Sequence, residues 1–220
     1  LGVLGRHPPA KTIISCPRVG GPAGFDDDVF ANAAKQGVLV SEVTDARPDG
    51  ISALISALSA SRPEGYDEAY GSMVDALREF LDALAGAGLE INDADTLRAL
   101  FAEWTPRLKE LEVDELSRPW GHLIGHQGHG QILVPDLYDT ELDEQERRAK
   151  VVLGRFYVGE NMAAHGGSVM VLFDDFLGGM LFHMGLPPSR TAYLKTDFRA
   201  ITPIGEELTV IGRVDRIEGR

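Results

Sequence analysis

The sequence predicts an α+β protein in which a long buried helix packs against the strands that flank it in the chain. Residues 165–184 have helical length and are apolar nearly all round, which is typical of a buried helix. Residues 208–217 alternate apolar and polar side chains, as strands do. Residues 66–84 carry apolar side chains at the helical period, so a helical region precedes the α+β part.

The overall composition restricts the partners and the compartment. The 220 residues suffice for one domain with a core, with or without an accessory segment. A net charge of −13 argues against a nucleic acid or an anionic membrane as the main partner, and an anionic ligand would need a local basic patch. Cys16 is the only cysteine, and no apolar stretch has membrane-spanning length. We therefore expect a cytoplasmic protein.

The first 64 residues carry few structural signals. Residues 12–16 and 37–43 are short β-type runs, and residues 50–60 can form a short helix. The glycine-rich stretch 19–24 matches neither the dinucleotide fingerprint nor the P-loop, so a plain turn is favoured over a phosphate site.

A pair of helices is predicted next. The helix over 66–84 ends at glycines, and Asn92 or Asp93 is a candidate N-cap of a second helix, in which Pro106 introduces a kink or a restart. The aromatic and methionine positions of both helices favour core packing of an αα-hairpin over contact with a cofactor.

Residues 117–135 are rich in histidine and glycine. His122, His126 and His129 invite a metal interpretation, but the glycines between them disfavour a helical ligand arrangement, and the cluster contains no cysteine or carboxylate. We expect a connecting loop without a metal. Residues 139–150 are interpreted as a solvated, charged stretch.

The C-terminal region has the predicted order strand, long helix, strand, strand. The strands are expected over residues 151–159, 191–201 and 208–217, with Phe198 among the anchors of the second. The helix over 165–184 is expected to end at the Gly-Leu-Pro-Pro stretch that follows it.

A catalytic pattern lies in this helix. His165, Gly166 and Gly167 stand at its predicted N-terminus, where unpaired backbone N–H groups at the positive end of the helix dipole can hold a carbonyl oxygen. Asp174 interrupts the apolar run and lies about 10 Å further along the axis from Gly167. That distance is long for one chain, so the pattern works better with two antiparallel copies of the helix across a dimer axis.

Three stretches resemble a known family: GENMAAHGGSVMVLFDD (159–175), RTAYLKTDFRAITPIG (190–205) and VDRIEGR (214–220). They resemble the hotdog-fold acyl-CoA thioesterases, in the HGG…D branch that includes the phenylacetyl-CoA-type enzymes. The helix pair and histidine loop resemble the N-terminal extension of actinobacterial members. The resemblance implies a hotdog fold, a long buried helix wrapped by an antiparallel sheet. It also implies hydrolysis of acyl-CoA to free acid and CoA, as in fatty acid metabolism, by a homodimer or a dimer of dimers (a homotetramer).

The resemblance also implies roles for individual residues. Asp174 is the expected catalytic carboxylate, as general base or nucleophile, and Asp175 is the less favoured alternative. Gly166 is expected to supply the oxyanion N–H, His165 to hold the carbonyl region, and Thr191 to position the attacking water.

Substrate binding is expected of Asn161, Gly167 and Arg199, with the Asn161 match to the family the loosest of the three. CoA enters as part of the substrate, so no separate cofactor and no metal are expected. Basic side chains are needed for the CoA phosphates; the local candidates are Arg190, Lys195, Arg199 and Arg213.

The predicted organisation has three segments: an unassigned segment 1–64, a helical extension with the Gly/His-rich loop 65–149, and a partial hotdog domain 150–220. The hotdog sheet needs five strands, and about three are predicted here, so we expect a C-terminally incomplete domain from a longer gene product. The rival functions are a non-catalytic acyl-CoA-binding or sensor protein on the same fold and, less favoured, a hotdog dehydratase or hydratase.

Overall fold

The structure is a computed structural model that describes residues 62–115, 117–123, 125–143, 146–184, 191 and 194–214. The elements expected over 12–16, 37–43 and 50–60 lie outside these residues. In the described part the helices are α1 (Tyr66–Gly86), α2 (Ile91–Glu110) and α3 (Gly166–His183), and the strands are β1 (Leu137–Leu142), β2 (Glu146–Val152) and β3 (Glu207–Arg213).

The three strands form one antiparallel sheet in the order β1-β2-β3. Side chains of the central strand β2 alternate between the two faces of the sheet, so that Arg147, Ala149 and Val151 are buried and Arg148 and Val152 are exposed. The buried side of the sheet therefore contains one charged residue among apolar ones.

Helix α3 lies against this buried side. Its Leu172 and Phe176 join Ala149 and Val151 in the core. Gly212 of β3 permits the close approach, because a Cβ at this position would lie 2.9 Å from the Phe176 ring atom Cε1. The predicted long buried helix is confirmed, with bounds within two residues of those expected.

Helix α1 is attached to the histidine-rich loop by polar contacts. Arg78 pairs with Asp136 at 3.1 Å, and the His126 ring lies 3.2 Å from Asp75. Burial raises the pKa of Asp136, while the neighbouring Arg78 lowers it. His126 thus joins the loop to α1.

The second helix differs from its prediction. Helix α2 begins at Ile91, so Asn92 and Asp93 lie inside it and neither is its N-cap, and Pro106 is accommodated within one continuous helix. None of its residues is buried, so the expected core packing of an αα-hairpin is wrong. Its aromatic contact with α1 is an edge-to-face pair between Phe80 and Phe101. Helix α1 instead packs against the histidine-rich loop, with Gly71 beside His126, and against the turn Arg155–Tyr157, with Gly86 beside Arg155.

The predicted strands also need correction. Residues 139–150, expected as a solvated stretch, contribute to both β1 and β2, whereas the strand expected over 151–159 ends at Val152. The described residues of 191–201 form no regular strand. Strand β3 agrees with the prediction through Arg213, and the positions from 215 lie outside the described residues. The segment boundary at 149/150 falls inside β2, and the three-segment division stays a prediction.

Candidate active site

The N-terminus of α3 is held between two extended segments. The backbone N–H of Ala164 donates to the Thr202 carbonyl at 2.8 Å, and that of His165 donates to the Tyr157 carbonyl at 2.8 Å. Gly159 lies close beneath, since a Cβ there would lie 3.1 Å from the Cα of His165. These contacts determine where the first turn of the helix points.

The His165 side chain caps the helix that follows it. Its Nδ1 accepts a hydrogen bond from the Gly167 backbone N–H at 3.0 Å, so in the neutral ring the proton belongs on Nε2. The Gly167 amide is thus directed at this ring, and the expected role of Gly167 in substrate binding stays a prediction. The Gly166 amide donates to no acceptor among the described residues, as is usual for the first N–H of a helix.

An aromatic ring lies beside Gly166. The Phe198 ring atom Cζ would be 3.2 Å from a Cβ at position 166, so any larger residue there would press on the ring. Phe198 was expected to anchor a strand, yet it is 58% exposed. The sequence offers no signal for this placement, because the contact joins residues that are 32 positions apart.

Asp174 and Thr191 are brought together on the open side of α3. The Thr191 hydroxyl donates to the Asp174 carboxylate oxygen Oδ1 at 2.6 Å, and both residues are exposed. Thr191 lies beyond the end of the helix, so this hydrogen bond joins α3 to the chain segment that follows it. The pair provides a solvent-accessible carboxylate with an oriented hydroxyl beside it.

Asp175 faces a different environment. It is half-buried on the side of α3 that meets the sheet. Burial raises the pKa of the Asp175 carboxyl above its usual range, while His129 and Arg147 act in the opposite direction and the Asp174 charge reinforces the rise. The two adjacent carboxylates are therefore separated into one open to solvent and one turned inward.

The remaining predicted site residues are exposed. Asn161 has φ 54° at the tip of a turn before α3, a left-handed conformation that asparagine tolerates well. Arg199 lies 3.4 Å from Asp197, and Arg213 pairs with Glu146, so both candidate phosphate-binding cations have carboxylate partners. Lys195 is exposed, and Arg190 lies outside the described residues.

The two halves of the candidate site are far apart in one chain. Gly166 and Asp174 are separated by eight residues of helix, which is about 12 Å along the axis. Within the described ranges, no group of three His, Cys, Asp or Glu side chains is placed to hold a metal ion. None of the described helices is both long enough and apolar enough to span a membrane.

A buried helix on an antiparallel sheet, with a carboxylate on its open face, defines an α+β protein of the hotdog type. The comparisons agree with this class. Residues 162–220 match the family described as the thioesterase superfamily. The chain is similar to a crystal structure described as a thioesterase superfamily protein, with 27% identity and a TM-score of 0.57, over 73% of this chain and 81% of the other. No curated protein matches this chain. The predicted fold class is thereby confirmed.

Proposed function

We propose that this protein hydrolyses acyl-CoA thioesters to the free acid and CoA. The observation that carries the proposal is the Thr191–Asp174 hydrogen bond of 2.6 Å on the exposed side of α3. The match of residues 162–220 to the thioesterase superfamily supports thioester hydrolysis as the reaction type. CoA as the acyl carrier and a cytoplasmic location are parts of the same proposal, the latter supported by the single cysteine.

In the proposed reaction, Asp174 accepts a proton from water while the water oxygen attacks the thioester carbonyl carbon. The Gly166 N–H stabilises the negative charge that develops on the carbonyl oxygen. The C–S bond then breaks, and the sulfur takes the proton from Asp174 and leaves as the CoA thiol. Thr191 keeps the carboxylate in one orientation during both proton transfers.

The proposed site combines two protomers. Because about 12 Å of helix separates Gly166 from Asp174, one carbonyl cannot contact both groups of a single chain. Two antiparallel copies of α3 would bring Gly166 of one protomer beside Asp174 of its partner. A homodimer is therefore the smallest active form under this proposal, and a dimer of dimers would contain two such pairs.

The proposal is tested by free-thiol release from a panel of aliphatic and aromatic acyl-CoAs with the full-length protein. Asp174→Asn retains the shape of the side chain and removes the base, so kcat should fall about 10²- to 10⁴-fold. Tight acyl-CoA binding by the wild-type protein without thiol release would instead support a non-catalytic acyl-CoA-binding protein.

Asp175→Asn is the matched control, because it changes the adjacent carboxylate in the same way. Asp175 faces the sheet, so its variant should keep most of the wild-type kcat. A larger loss of kcat in Asp175→Asn than in Asp174→Asn would show that Asp175 is the catalytic carboxylate and would contradict the proposal.

A further inference from the structure

The buried face of the sheet contains a charged residue with no assigned role. Arg147 of β2 is 9% exposed and is the buried charged side chain among the described residues. Burying a cation is costly unless it gains strong partners, and here burial lowers the pKa of the guanidinium while Asp175 raises it. The contacts of the Arg147 side chain show which groups offset the cost of burying its charge.

Every polar or aromatic contact of the Arg147 side chain described here is with α3. Its Nη1 donates to the Phe176 carbonyl oxygen at 2.7 Å, and its Cζ lies 4.8 Å from the centroid of the Phe176 ring. The guanidinium occupies a notch at Gly179, because a Cβ there would lie 2.6 Å from Nη1. The guanidinium therefore contacts one turn of α3 at three points: the Phe176 carbonyl, the Phe176 ring and the space at Gly179.

This contact restricts the rotation of α3 about its own axis, together with the packing of Leu172 and Phe176 in the core. Successive residues of a helix point about 100° apart, so a rotation of α3 by about that angle would bring Asp175 to the direction that Asp174 now has. The Phe176 carbonyl that Arg147 holds lies within one helical turn of both carboxylates. With the helix held in this rotation, Asp174 meets the Thr191 hydroxyl and Asp175 faces the sheet.

We infer that Arg147 is a positioning residue that directs Asp174 towards Thr191 through its hold on Phe176 and Gly179. The importance of this for turnover rests on the proposed function of Asp174. The positioning itself is a structural statement that can be tested apart from any activity.

The main variant is Arg147→Met, which retains an unbranched side chain and removes the donor and the charge. The substitution leaves the half-buried Asp175 without its neighbouring cation, so Tm should fall, and the variant is measured at a temperature at which it is still folded. The Thr191–Asp174 hydrogen bond should be lost in its crystal structure. In thiol release, kcat should fall about 10- to 100-fold with little change in KM, since misplacement by about 1 Å has effects of this size.

Two further variants separate positioning from stability. Gly179→Ala fills the notch and displaces the guanidinium without removing it, so it should cause the same fall in kcat; Gly178→Ala, where no described atom lies within 4 Å, is its control. Arg148→Met is the control on β2, because that side chain is 47% exposed and pairs with Glu146. Arg147→Lys keeps a donor and should recover part of the kcat.

The outcomes distinguish this inference from the proposed function. A folded Arg147→Met protein with the Thr191–Asp174 bond intact would overturn the inference, whatever its activity. Loss of that bond supports the inference even where the wild-type protein releases no thiol, and in that case the proposed function alone fails. Should Arg147→Met not fold, equal kcat values and an intact bond in Gly179→Ala and Gly178→Ala would overturn it.

Discussion

At the scale of single residues, the main question is which of the adjacent carboxylates, Asp174 or Asp175, faces solvent and which faces the sheet. Both interrupt an apolar run, and their sequence neighbourhood is nearly the same. In the fold one is exposed beside Thr191, and the other is half-buried near Arg147. The helical rotation between neighbours separates them, and packing on the sheet decides which of them turns inward.

The raised pKa of Asp175 predicts a dependence of stability on pH. Its folded-state pKa exceeds the ordinary value of about 3.9, so the associated stability is fully present below that value and is lost as pH rises through the raised pKa. Asn at this position cannot ionise. The free energy of unfolding of Asp175→Asn should therefore increase relative to wild type as pH rises.

Urea unfolding of both proteins at about pH 4, 5.5 and 7 measures this difference. Asp174→Asn is the comparison for the loss of an exposed carboxylate from the same helix. A difference between Asp175→Asn and wild type that stays constant or shrinks with rising pH would show that Asp175 is not destabilised by burial.

At the scale of secondary structure, the helices were predicted better than the strands. Helix α1 has a long apolar pattern at the helical period and α3 is a long apolar run, and both form helices close to the predicted bounds. Strand β2 was missed because its buried face includes Arg147. This charge breaks the alternation of apolar and polar residues, so the sequence looks like a solvated, charged stretch. A buried charge can be recognised only with its partner, and Phe176 is 29 residues away.

Replacing a glycine by alanine should have opposite effects on stability in the sheet and in the helix. Gly212→Ala should destabilise the protein by about 1–3 kcal/mol, because the new Cβ would lie 2.8 Å from Leu177 Cδ2 and 2.9 Å from Phe176 Cε1 in the core. Gly178→Ala should stabilise it by about 0.5–1 kcal/mol, since alanine favours the helix and no described atom is in the way.

Thermal or urea unfolding of the two alanine variants, compared with wild type, measures both changes. Equal effects of the two substitutions would contradict the close packing of α3 on β3. A destabilised Gly178→Ala protein would indicate that this exposed position of α3 is covered by a second protomer.

At the scale of the whole molecule, the central prediction is a site shared by two chains. Gly166→Pro removes the proposed oxyanion N–H at the first helical position, where the helix backbone accepts proline although the added ring also presses on Phe198. It should lower kcat about 10²- to 10³-fold. Asp174→Asn lowers kcat for a different reason, because it removes the proposed base. In a mixed dimer of these two variants, one of the two shared sites contains both intact groups.

Co-refolding equal amounts of Gly166→Pro and Asp174→Asn should therefore recover about a quarter of the wild-type activity, because half of randomly formed dimers are mixed and each has one intact site. Separately refolded variants combined without exchange are the control. Absence of any recovery in demonstrated heterodimers would place both groups in the same protomer's site.

The sequence by itself determined the α+β class, the two long amphipathic or apolar helices and the position of Gly166 at a helix start, because these depend on local periodicity and glycine placement. Only the tertiary structure decided that Asp174 meets Thr191, that Asp175 turns inward and that Arg147 holds the helix. Each of these features depends on residues that lie apart in the chain and on how α3 packs on the sheet.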